Sequence, residues 1–73
     1  MSHLVVFMNV SSLVRGGHHI DRSIHIYETD TAETRMQAMV QARDALDDEW
    51  ESLGESRILM SADYTVIRGE IWR

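Results

Sequence analysis

Leu4-Val5-Val6-Phe7-Met8-Asn9-Val10-Ser11-Ser12-Leu13-Val14 is the stretch on which the fold turns. It is rich in β-branched and aromatic residues, and Leu4, Val6, Met8 and Val10 recur at every second position, the period of a strand with one face toward a core. The unbroken apolar run from Leu4 to Met8 covers only five residues, and no positively charged segment precedes it, so neither a membrane span nor a signal peptide is expected. Arg15-Gly16-Gly17-His18 comes next, and paired glycines supply the positive φ of a tight hairpin. The chain then returns as a second strand over about Ile20–Glu28. There Ile20, Ile24 and Ile26 alternate with Ser23, His25 and Tyr27, and the isoleucines are the expected core face. Arg22 interrupts that face near the strand start, where its stem covers the core edge while its guanidinium stays wet.

Working outward, Asp30-Thr31-Ala32-Glu33 has the spacing of a capping box and predicts that a helix begins there. Ala32, Met36, Met39, Val40, Leu46, Trp50 and Leu53 recur at steps of three and four as its expected apolar stripe, and Gly54 supplies the stop. Arg57–Met60 then reads as a short strand, Ser61-Ala62-Asp63 as a turn, and Tyr64–Trp72 as a last strand. These elements predict an α+β fold of two layers in ββαββ order. A four-stranded, mainly antiparallel sheet carries one helix on one face. The other face stays open, and His25, Tyr27 and Phe7 are expected to project from it.

The 73 residues carry no repeat, low-complexity stretch or linker, so residues 1–73 are expected to form a single domain. At 8.4 kDa a compact monomer exposes roughly 4,600 Å² and buries about 60% of its unfolded surface, a thin core that a partner would reinforce. Twelve acidic residues against seven arginines give a net charge of −5, which repels phosphate backbones and argues against direct nucleic-acid binding. There is no cysteine, hence no disulfide, no thiolate nucleophile and no cysteine-ligated zinc, and a cytoplasmic protein is expected.

Asp44, Asp47, Asp48, Glu49, Glu51 and Glu55 fall within twelve residues, toward the negative end of the predicted helix. Each such placement costs a few tenths of a kcal/mol up to about 1 kcal/mol in an exposed helix. A helix selected for stability alone would avoid it. The bland reading is a solvated face relieved by Arg43 and Arg57; the functional one is a ridge that engages a basic surface on another protein. Asp44, Asp48 and Glu51 share one flank and Asp47 lies beside them. Trp50 and Trp72 stand at element ends, where aromatics serve as core or as interface anchors. His18 and His19 are adjacent, so from an extended segment their rings diverge, and no metal site is expected from them with His3, His25 and Asp21. Asp21, Ser23 and His25 share one strand side, but a chain this short leaves little room for a water-excluding pocket, so neither an enzyme nor a cofactor is expected.

In topology and charge the whole chain resembles the compact α+β anti-CRISPR proteins encoded by bacteriophages, although no shared motif carries the likeness. The resemblance implies a non-catalytic inhibitor that occupies a surface of a CRISPR-Cas effector in the bacterial cytoplasm. It places Asp44, Asp47, Asp48 and Glu51 as phosphate-like charges against the Arg and Lys of that protein or ribonucleoprotein. His25, Tyr27 and Trp50 are the further candidate contacts. The alternative is a homodimeric structural or antitoxin-like domain whose open sheet face pairs with itself.

Overall fold

The structure, a computed structural model, describes residues 3–14 and 19–69. Strands β1 (Leu4–Val14), β2 (His19–Thr29) and β3 (Arg57–Arg68) form an antiparallel sheet in the order β2-β1-β3, and helix α1 (Arg35–Ser52) lies across one face. The most apolar strand holds the centre, and its core face is the one its period predicts: Leu4, Val6, Met8 and Val10 are buried, and Ser12 continues the row. Ala38, Ala42, Leu46 and Trp50 cover them from α1. Tyr27, Leu59, Ala62, Tyr64 and Val66 flank that core, half-buried.

Among the described residues the sheet has three strands, not the four expected, and the order is ββαβ. No turn forms at Ser61-Ala62-Asp63. β3 runs through these residues, pairing Val10 with Ala62 and Ser11 with Ser61, and then skips Met60 so that Ser12 meets Leu59. That is a one-residue bulge, which bends a strand without ending it. The stretch has no Gly or Pro to reverse the chain, and an uninterrupted β1 offers pairing partners along its whole length. The expected glycine turn at Arg15–His18 and the strand end at Trp72 lie outside the described residues.

The second correction is the facing of β2. Val6 pairs with Tyr27, Met8 with His25 and Val10 with Ser23, so the odd-numbered residues of β2 share the helix side with the core of β1. Ile20, Ile24 and Ile26 point the other way and are 59%, 72% and 62% exposed. Register decides this, because a shift of one residue exchanges the two faces of a strand. Asp21, Ser23, His25 and Tyr27 face α1 only at the sheet's periphery, where polar groups remain partly wet; α1 packs mainly on β1 and β3.

The helix also starts later than its expected capping box. Thr34 is the N-cap: its hydroxyl accepts from the Gln37 amide at 3.1 Å, while the Gln37 side chain accepts from the Glu33 amide at 2.7 Å. This is the reciprocal logic of a capping box, four residues downstream of the expected one. Its apolar stripe is corrected too. Ala38, Ala42, Leu46 and Trp50 are buried at steps of four, whereas Met36, Val40 and Leu53 are exposed. Two buried alanines let α1 sit close against the sheet where longer side chains would hold it off. The stop at Gly54 is as expected. Gly54, at φ 68°, donates to Glu51 at 3.1 Å and Glu55 donates to Trp50 at 3.0 Å, closing a Schellman motif.

Candidate interaction surfaces

The outer side of α1 is the first surface. Met36, Val40, Asp44 and Asp48 follow one another at steps of four, and Glu51 continues them, so apolar and acidic halves share one row. All five are exposed, as are Asp47 and Glu49 beside them. Among the described residues the ion pairs are His3–Glu28, Arg57–Asp21 and Arg57–Glu55, so of the acidic run only Glu55 is neutralised in this way. The Arg43 and Arg57 relief expected for the ridge is thus confined to its last member. Met36, Met39 and Val40 also border an open groove that reaches Tyr64 of β3, so apolar surface lies beside the charge.

The second surface is the sheet face away from α1. Phe7 of β1 lies there between Ile26 and Thr65, and Leu13 lies between Ile20 and Ile58. Ile24 flanks Asn9, and Ile67 flanks Val5. The expectation that His25 and Tyr27 project from this face is overturned, for both lie on the helix side; Phe7 does occupy it. Trp50 is only 7% exposed and stacks into the core, so its ring is not an outward anchor. Ile20, Ile24 and Ile26, expected as core from their alternation, are instead the most exposed large apolar side chains of the sheet among the described residues.

Between the two layers, Arg57 joins three segments. Its guanidinium donates to Asp21 on β2 at 2.7 Å, to Glu55 before β3, and at 3.4 Å to the buried Ser12 hydroxyl of β1. It also stands 5.9 Å from the centre of the Trp50 ring. The hydrogen bond from Arg57 holds the Asp21 carboxyl below its ordinary range. Ser23 and His25 are joined at 2.7 Å between the Ser Oγ and His Nε2, but Asp21 is engaged by Arg57 and does not orient that imidazole. Among the described residues no three His, Asp or Glu side chains converge as a metal site would require, and no helix is long and apolar enough to cross a membrane. Comparison of the chain with protein-family models, with characterised proteins and with solved structures finds no match.

Two of the surface features escaped the reading of the sequence. The outward position of Met36 and Val40 follows once the stripe is anchored on Ala38 and Ala42, and alanine carries too weak an apolar signal to anchor it unaided. The outward isoleucines follow from the pairing register, not from the alternation within β2: Val14 lies opposite His19, and that parity sets every even residue of β1 against an odd residue of β2.

Proposed function

We propose that the chain is a non-catalytic protein-binding module that presents the outer row of α1 to a cationic surface on another protein. The observation that carries this reading is the row itself: exposed Met36 and Val40 followed by Asp44, Asp48 and Glu51 without ion-pair partners among the described residues. Carboxylates at the negative end of a helix, repelling one another, are unfavourable for the isolated protein. A basic partner relieves that repulsion, and the apolar half of the row supplies burial beside it. In its most specific form the module is a phage-type inhibitor that covers the guide- or target-binding surface of a CRISPR-Cas effector in the bacterial cytoplasm, its carboxylates standing in for phosphates.

The test uses two baits, the unaltered chain and the triple variant Asp44→Lys/Asp48→Lys/Glu51→Lys, against bacterial lysate at rising salt, with retained proteins identified. The expected result is a basic partner that the unaltered chain holds at low salt, releases at high salt, and that the variant does not hold. Equal retention by the two baits removes the row as the binding element. For the specific form, purified CRISPR-Cas effectors are assayed for target cleavage with the chain added, and unimpaired cleavage throughout rules it out. A second reading, a homodimeric structural or antitoxin-like domain, is favoured by the uncovered sheet face.

A further inference from the structure

We infer that the sheet face opposite α1 is the interface of a homodimer, in which two copies of this chain pack sheet on sheet with their helices outward. The inference draws on the sheet face alone and is independent of the reading of α1.

Three observations choose a second copy as the occupant. The first is area. Ile20, Ile24, Ile26, Ile58 and Ile67 all lie on this face and all are exposed, a broad apolar surface left uncovered. Three strands of about 11 residues, spaced ~4.8 Å apart and rising ~3.3 Å per residue, give a footprint of about 500 Å² per copy. Two copies bury about 1,000 Å², the size at which a specific interface begins. The second is charge. Among the described residues this face carries Arg22, Glu28 and Asp63, with His3 beside Glu28, and is close to neutral in a chain of net charge −5. Two such acidic chains therefore meet with least repulsion through this face, whereas the outer row of α1 would set carboxylates against carboxylates.

The third observation is register. Arg22 on β2 lies level with Ser11 and Ser61, and Asp63 on β3 lies one step further along the same face. A two-fold axis parallel to the strands lays β2 of one copy over β3 of the other. Ile20 then stacks on the partner subunit's Ile58, and Arg22 lies within one step of Asp63 of the partner subunit. A two-fold axis across the strands would instead stack Asp63 on its own equivalent. Aligned packing of twisted sheets, with the strands at about 30°, accommodates the first arrangement.

The experiment is sedimentation equilibrium of the full chain across a micromolar dilution series. Ile24→Asp, Ile26→Ser, Arg22→Asp, Asp63→Arg and the double exchange Arg22→Asp/Asp63→Arg run beside it, each checked for native circular dichroism. The unaltered chain is expected at twice 8.4 kDa. A central apolar contact of a hot spot's worth is expected to cost about thirtyfold or more in dissociation constant when replaced by a carboxylate. Ile26→Ser, at a site already exposed in the monomer, gives the same direction should Ile24→Asp not fold. Each single charge exchange weakens the dimer and the double exchange recovers it; failure to recover overturns the strand-parallel arrangement. A chain that stays monomeric at high-micromolar concentration, or a dimer indifferent to both isoleucine variants, overturns the interface.

Discussion

Arg57 is the residue on which the small core closes, because one guanidinium satisfies Asp21, Glu55 and the buried Ser12 hydroxyl while covering the edge of Trp50. The consequence for pH has a definite sign. Asp21 has its folded pKa lowered from an ordinary 3.8, chiefly by the Arg57 hydrogen bond, so the native state binds its proton less readily than the unfolded chain. The contribution is present above 3.8 and is lost as pH falls through the lower folded value. The stability difference between the unaltered chain and Asp21→Asn is therefore expected to be constant near neutrality and to shrink below about pH 4, as read by urea denaturation across an acid series. A gap that persists undiminished into strong acid would remove the Arg57 pairing as its cause. Gly54 makes a separate prediction. Its φ is 68° and nothing lies within 4 Å of a Cβ placed there, so the cost of Gly54→Ala is backbone strain alone, about 1 kcal/mol in the denaturation midpoint.

At the scale of elements, α1 depends on one cap and two alanines. Thr34→Ala removes the acceptor for the Gln37 amide and is expected to destabilise by about 1 kcal/mol, whereas Thr34→Ser keeps the acceptor and is expected to avoid most of that loss; thermal denaturation by circular dichroism reads both. Ala42 is fully buried between α1 and the sheet, so Ala42→Leu is expected to cost about 1–3 kcal/mol through overpacking rather than to fill a void. A neutral or stabilising leucine there would mean that the helix stands further from the sheet than described. The same element shows how far the sequence can be read. Gly54 announces the helix end because only one residue type adopts that conformation cheaply. The helix start is ambiguous because Asp30-Thr31-Ala32-Glu33 and Thr34-Arg35-Met36-Gln37 both offer a cap residue with a side-chain acceptor three positions on. Thr29, the last residue of β2 and next to the first cap, has a buried hydroxyl that donates to Gln41 at 2.6 Å, and that tertiary bond ties the strand end to the side of α1. For β3, the alternation broken at Met60 suits a turn or a bulge equally well. An intact β1 alongside selects the bulge.

For the whole molecule, the two exposed surfaces make opposite demands. The outer row of α1 is costly to the isolated fold, so Asp44→Lys/Asp48→Lys/Glu51→Lys is expected to raise stability by about 0.5–2 kcal/mol at low salt, narrowing as salt is added. If the row binds a basic partner, the same substitutions abolish binding, and stability and binding move in opposite directions. A triple variant that lowers stability would show that these carboxylates support the fold instead. The sheet face shows the contrast in apolar terms. Ile24 lies 72% exposed on the face opposite the buried core, and polar replacements there leave that core untouched.

What the amino-acid order determined unaided is local: Leu4–Val14 as the principal strand, a returning strand after paired glycines, one long helix closed at Gly54, and an acidic run placed where a helix tolerates it least. Each follows from side-chain period or backbone conformational preference, which act over a few neighbours. Tertiary structure alone decided that Arg57–Arg68 is one bulged strand, that Ala38 and Ala42 rather than Met36 and Val40 meet the sheet, and that the isoleucines of β2 look outward. Those outcomes depend on pairing register and on how closely a helix can approach a strand. Both are properties of two segments in contact, and neither segment's own residues contain them.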